Sequence, residues 1–230
     1  MSRAGDIPML DGILMWSFFW RGVMPFANYQ SVADVARPFR IHFRRENFVR
    51  PLPAPLSDYF RSELDFTLRE VPFDDSESAA CETLIYPFRR EVWRAYLEAL
   101  TLWSHQPITY DADLSGVPDY LVARRSPLGS LILDQPYLLV VEAKKDDFTR
   151  GWGQCLAAML AAQKLNDLPE QTVYGITTNG QVWQFGQLHA DMFTKDPRSF
   201  TLEDVDNLGA ALHFVFAQCR DQVTRLYSAV

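Results

Sequence analysis

Gly116-Val-Pro-Asp-Tyr-Leu-Val-Ala123 and Tyr137-Leu-Leu-Val-Val-Glu-Ala-Lys144 are the stretches on which the fold turns. The second is nearly all apolar before its end, the pattern of a strand covered on both faces. A turn-rich segment containing Ser126-Pro-Leu-Gly129 separates them, so the pair reads as neighbouring strands. Period-two geometry puts Glu142 and Lys144 on one face. If the strands are hairpin partners, Asp119 approaches that same face. Two carboxylates and an ammonium then converge at one end of a sheet.

Working outward, Asp74-Asp75-Ser76 is an N-cap signal. Cys81, Leu84, Ile85, Phe88, Val92 and Trp93 follow at helical spacing, and the pattern runs to about Leu100. Pro87 is expected to kink this helix or divide it. Strand-like runs cover about 107–112, 117–123 and 137–143. An Ala- and Leu-rich helix spans about 147–165. Thr172–Thr178 and Gln181–Phe185 flank Asn179-Gly180, a strong hairpin signal. An apolar-periodic helix covers about 203–227. On the N-terminal side, Phe39, Ile41 and Phe43 alternate with Arg40, His42 and Arg44, which predicts a strand with one buried and one basic face. The expected class is α/β, a mixed central sheet flanked by helices. Its parts are an N-terminal extension over 1–75, a core over 76–190 and a C-terminal helical segment over 191–230.

The chain has 230 residues, 48% hydrophobic and 22% charged, with net charge −7. That composition excludes collagen, coiled coil and wholesale disorder. The acidic balance argues against a protein that simply coats nucleic acid. Three widely spaced cysteines exclude a disulfide scaffold and favour a reduced, cytoplasmic setting. The apolar run Gly12–Trp20 is nine residues long, against about 20 for a spanning helix, so no membrane partner is expected. It reads as a packed or membrane-surface segment, or as a misassigned start before Met24, with 1–23 then extraneous.

The converging cluster is suited to metal-assisted phosphodiester chemistry. Mg2+ prefers hard oxygen ligands and is usually held by one or two carboxylates with waters and substrate phosphate. Asp119 and Glu142 supply the carboxylates and the Ala143 carbonyl a further ligand. Lys144 would orient water and stabilise charge growing on phosphorus. With ten glutamates and four lysines, a Glu-x-Lys spacing arises by chance about 0.2 times, so the short motif alone is weak. The plain alternative is a solvated ion pair, worth about 0–1 kcal/mol.

Pro118-Asp119, then Glu142-Ala143-Lys144, then a helix bearing Gln154 resembles the PD-(D/E)XK nuclease superfamily, with a restriction-endonuclease-like core in the order α-β-β-β-α-β. Glu77 with Leu84-Ile85-x-Pro87, Val117-Pro-Asp-Tyr120 and Val141-Glu-Ala-Lys144 are most similar to the N-terminal nuclease domain of type I restriction R subunits. The resemblance implies a Mg2+-dependent nuclease, with Mn2+ as a substitute. Glu77, Asp119, Glu142 and Ala143 match the metal-binding positions. Asp119, Glu142, Lys144 and Gln154 match the catalytic set. On the helical wheel Glu77 lies on the stripe with Cys81, Leu84 and Phe88, ahead of Glu82. The expected partner is DNA, with RNA second, and a second copy or a partner protein stays open. No Gly-x-x-x-x-Gly-Lys-Ser/Thr is present, so a stand-alone module is expected.

Two other classes compete. One is a catalytically silent nuclease-fold module that binds nucleic acid or assembles with protein. The other is a small α/β domain in which the cluster is a salt-bridge network. Arg40, Arg44, Arg45 and Arg50 are either phosphate contacts or a solvated face. Gly151 and Gly153 allow a close backbone approach or merely loosen a helix start. Lys145 is expected to face away from Lys144. His42, His105, His189 and His213 have no metal-ligand spacing, and Cys155 reads as a buried small hydrophobe.

Overall fold

The computed structural model describes residues 25–227, and the expectations placed on 1–23 lie outside them. Along the chain come α1 (Val32–Phe39), β1 (His42–Arg45), α2 (Asp58–Glu70), α3 (Glu77–Ala80), a π turn (Cys81–Ile85) and α4 (Tyr86–Trp93). Then follow β2 (Leu100–Ser104), β3 (Ile108–Thr109), β4 (Ser115–Gly116), β5 (Tyr120–Arg125), β6 (Leu133–Ala143) and α5 (Phe148–Asn166). The chain continues through β7 (Val173–Thr178), β8 (Val182–His189), β9 (Met192–Thr201) and α6 (Val205–Tyr227).

Seven strands form one mixed sheet in the order β1-β9-β8-β7-β6-β5-β2. β6 pairs parallel with β7 and β1 parallel with β9, while the other neighbours run antiparallel. The architecture is a mixed α/β fold, a large central sheet flanked by helices and closed by a C-terminal helix. The sheet draws β1 from the segment 1–75 and β9 from 191–230, so its strands cross both boundaries read from the sequence.

Each face of the sheet has its own core. Val122, Leu139, Val141, Ile176 and Phe185 meet Phe88, Val92, Leu212 and Phe216 of α4 and α6. Leu121, Val140, Leu188 and Phe193 meet Leu156, Met159 and Trp152 of α5. β6 contributes to both, which is why its sequence is continuously apolar. Each such side chain stabilises the fold by about 1.5–3 kcal/mol when fully buried.

Local signals position these layers. Ser76 caps α3 by accepting from the Ala79 N–H at 3.1 Å. Asp147 caps α5 through the Arg150 N–H at 2.9 Å. Asn179 Oδ1 accepts from the Gln181 and Val182 N–H groups, and Gly180 takes φ +89°, so the β7–β8 hairpin forms as its sequence directs. A Cβ on Gly153 would stand 2.7 Å from the Ser31 nitrogen and the Tyr29 oxygen, so this glycine lets the N-terminal segment lie directly on α5.

The helical run is divided, as Pro87 predicts: Pro87 stands in the first turn of α4, and a π turn, with the Tyr86 N–H donating to the Cys81 carbonyl, separates α4 from α3. Three other expectations change. The strand expected at 107–112 is β2 at 100–104, with only the two-residue β3 after it. The helix before it ends earlier because Leu100 is fully buried in the ladder opposite Arg124. The alternation at 39–45 belongs to a helix end, a left-handed residue at Arg40 and a short edge strand whose four residues are all exposed. Finally, β9 was not foreseen. Its Asp196-Pro197-Arg198 breaks any period, but these residues sit at an irregularity in the β8–β9 ladder, where proline costs no bond.

Candidate active site

β5 and β6 pair with Tyr120 opposite Val141. Leu121 and Val140 face α5, so alternation puts Glu142 on the α5 side of β6. Asp119, immediately before β5, stands at the end of the sheet and lines a concavity with Glu77, Cys81 and Tyr86. Asp119 Oδ2 accepts from the Ala143 N–H at 2.7 Å, which fixes the carboxylate at the end of β6.

Lys144 follows directly, its N–H donating to the Thr178 carbonyl at 2.8 Å. Its ammonium lies 3.0 Å from Glu142 Oε1, 2.8 Å from the Ala143 carbonyl oxygen and 3.4 Å from Glu77 Oε2. A cation therefore already stands against three of the four positions expected to hold metal. A Cβ on Gly151 would come within 2.6 Å of Thr177 and 2.9 Å of the Lys144 stem. Glycine here lets the first turn of α5 press Lys144 toward the acids.

Glu77, the first residue of α3, turns one oxygen to the Lys144 ammonium and the other to the Lys145 N–H at 3.4 Å. Glu82 lies on the π turn and lines the adjoining concavity. Lys145 is exposed, and its ammonium donates to the Asp75 carbonyl at 2.9 Å, tying down the start of α3. Gln154 is 5% exposed on α5, and no hydrogen bond joins it to Asp119, Glu142 or Lys144. The structure thus gathers Glu77, Asp119, Glu142, Ala143 and Lys144, and leaves Gln154 inside the helix layer. The three cysteines are buried and free.

The electrostatics follow from burial and crowding. Burial, and then Asp119 across the ladder, pushes the Glu142 carboxyl up to about 8, with Lys144 partly opposing. Burial also raises Asp119, while the Ala143 N–H and Lys144 pull it back. For Lys144, burial disfavours the charge, but Glu142, Glu77 and Asp119 outweigh it and hold the ammonium above its ordinary range. Two buried carboxylates facing each other do not both ionise cheaply without a cation beside them. Among the described residues, no three His, Cys, Asp or Glu side chains form a ready-made metal cage. The oxygens on offer are those two carboxylates, a carbonyl and the more exposed Glu77. That donor set suits Mg2+, which keeps several waters.

Two residues were missed in the sequence. His105 takes a left-handed φ of 50°, which brings its Nε2 to 3.6 Å from Asp119 Oδ1. Nothing in its spacing announces this. Arg89 is fully buried, its guanidinium 3.9 Å from the Tyr120 ring centroid, and all three of its nitrogens lack a partner among the described residues. Burial draws it down to about 10. Its signal was legible: Cys81, Ile85 and Arg89 recur every four residues on the buried stripe. Two concavities flank the cluster and meet at Glu77. One, about 210 Å³, is lined by Lys144, Lys145, Asn179 and Gln181. The other, about 530 Å³, is lined by Asp119, His105, Tyr86 and Glu82.

No protein-family model matches the chain, and no curated protein matches it. Among solved structures, a chain of the cryo-EM structure of the DrdV–DNA complex is similar at TM-score 0.41 and 14% identity. The match covers 68% of this chain and 13% of that one, so it spans a small part of the DrdV chain's length. Among the described residues, no helix is long and apolar enough to cross a membrane.

Proposed function

We propose that this chain is a Mg2+-dependent nuclease of the PD-(D/E)XK kind that hydrolyses phosphodiester bonds, with DNA as substrate. The observation that carries this reading is the Lys144 ammonium, ringed at 2.8–3.4 Å by Ala143, Glu142 and Glu77 oxygens with Asp119 alongside. A buried position that already stabilises one cation between hard oxygens fits a second, divalent one. Asp119, Glu142 and the Ala143 carbonyl would hold Mg2+, with Glu77 at the outer side. Bound there, the ion supplies a Lewis acid that polarises phosphate and acidifies water.

The chain's own residues do the rest. The Ala143 N–H keeps Asp119 from rotating out of place. Lys144, pressed forward by the glycine turn of α5, donates to a phosphate oxygen as negative charge grows, and orients the attacking water. Glu77 steadies the lysine from the helix side. The decisive experiment is plasmid nicking by the purified protein with Mg2+, with Mn2+ and with chelator, beside Asp119→Ala and Lys144→Ala. Metal-dependent nicking lost in both variants is the expected result.

A second reading has one observation in its favour. Lys144 itself fills the space among the acids, as in a domain whose cluster has become a structural ion pair. That reading, a silent nucleic-acid-binding or assembly module, predicts no cleavage of plasmid, linear or single-stranded DNA, or RNA.

A further inference from the structure

At the β1 edge of the α5 face, α1, β1, β9 and the first turns of α5 line an open cavity of about 510 Å³. That is within the roughly 300–1,000 Å³ of small-molecule sites. Arg37, Arg45 and Lys195 line it, together with Phe43, Phe148 and Trp152, and no aspartate or glutamate does. In a chain of net charge −7 such a corner stands apart.

The strand register explains the crowding. β1 and β9 run parallel with Phe43 beside Phe193 and Arg45 beside Lys195. Like charges side by side on neighbouring strands cost stability. Arg44, one residue away and on the other face, does find an acid, Glu46 at 3.2 Å. Arg37, Arg45 and Lys195 pair with no carboxylate among the described residues. The Lys195 ammonium instead lies 5.1 Å from the Trp152 ring centroid, and burial, then Arg45, holds it below the ordinary lysine range. Phe43 is 48% exposed on the same wall.

Three uncompensated cations beside exposed aromatic surface call for an anion with a flat apolar body. We infer that this cavity binds one unpaired nucleotide of a single-stranded nucleic acid, its base against Phe43 and Phe148 and its phosphate at Arg45 and Lys195. Aromatic stacking with a basic wall is the usual combination for single strands and tolerates any base. Gln184 also lines the cavity and is held by the Trp152 indole N–H at 2.8 Å. Through Thr177 it stands two strands from Glu142, about 10 Å at ordinary strand spacing. A strand seated here passes close to the candidate active site, but the inference does not depend on cleavage.

The test is fluorescence anisotropy of a labelled oligothymidylate with the full chain in chelator, where nothing is cut. Binding is expected to weaken at least tenfold in the Arg45→Gln/Lys195→Gln double variant and at least fivefold in Phe43→Ala. Arg69→Glu, on exposed α2, leaves it unchanged. The thermal midpoint of Lys195→Gln is expected to hold or rise, since a like-charge contact is relieved, which separates lost binding from lost folding. Thymidine monophosphate should displace the oligonucleotide at concentrations where inorganic phosphate does not. Equal displacement by phosphate would reduce the cavity to a simple anion site and overturn the inference. Tighter binding of free thymidine monophosphate than of the oligonucleotide would overturn the strand as its source. No binding by the wild type, or undiminished binding by the double variant, overturns it outright.

Discussion

Asp196 on β9 and Glu142 on β6 are both buried carboxylates of one sheet. Asp196 accepts four hydrogen bonds, from the Val49 N–H at 2.9 Å and from the Arg198 N–H, Nε and Nη2 at 2.7–3.1 Å. Burial alone would raise it, but these donors outweigh burial and hold it below the ordinary carboxylate range. Glu142 has the Lys144 ammonium and another acid facing it, and it is pushed up to about 8. The first carboxylate is finished by the fold and ties residue 49 to the sheet. The second is left short of positive charge by the same fold. Buried polar groups are ordinarily satisfied, and it is this difference in charge balance that the proposed metal site draws on.

The sharpest way to break the contrast is by activity. Glu142→Gln or Lys144→Ala is expected to lower metal-dependent nicking by about 10²–10³ or more, the scale for removing one group that stabilises transition-state charge. Asp196→Asn should nick normally per folded molecule. If nicking survives Glu142→Gln, the two carboxylates are alike and the functional contrast is lost.

Stability should reverse the order. Asp196→Ala strands the buried Val49 N–H and is expected to cost about 1–3 kcal/mol. Glu142→Gln removes a carboxyl whose ionisation the fold opposes and is expected to cost nothing or to stabilise. Urea unfolding of both variants checks this.

The pH dependence of stability sharpens the same contrast, with opposite signs. Asp196 is depressed in the folded state, so its contribution is present at neutral pH and is lost as pH falls through its folded value. Glu142 is raised, from about 4.5 when unfolded to about 8 when folded. Its contribution is full below about 4.5 and is lost as pH rises toward 8. In chelator the thermal midpoint should therefore decline between pH 5 and 8, and Glu142→Gln should flatten that limb. Asp196→Asn should flatten only the acid limb.

The smallest expected effect concerns Arg89. Replacing an unpaired buried cation by an apolar residue of similar shape is often neutral or stabilising. Arg89→Met should keep or raise the unfolding midpoint, yet weaken nicking a few-fold by removing positive charge behind Asp119. A large loss of stability instead would make the guanidinium structural.

Much of the site was legible before any coordinates. Glu142 and Lys144 share a face because strand period is two, and their place at the end of an apolar run put them at a sheet end. Asp119 was legible only on the condition that its strand pairs with theirs. Glu77 came from the resemblance, and the wheel ranked it ahead of Glu82. The wheel survived the π turn because buried positions still recur every four residues through Phe88 and Val92. Gln154 rested on resemblance, and no hydrogen bond joins it to the acids. His105 was illegible because a single left-handed residue aims it.

By itself, the sequence determined the elements whose forces are local: the capped helices, the Asn179-Gly180 hairpin, the doubly covered strand β6 and the pairing of Glu142 with Lys144 on one face. Only the tertiary structure decided which strands meet. It put β1 against β9, so that residues about 150 apart in sequence bring Arg45 beside Lys195. It brought the Asp119 carboxylate onto the Ala143 N–H beside Glu142, and it buried Arg89 with no hydrogen-bond partner among the described residues. The physical reason is range. Periodicity and capping act over a few residues, whereas register, burial and the charge a group sees are set by neighbours the chain brings in from far away.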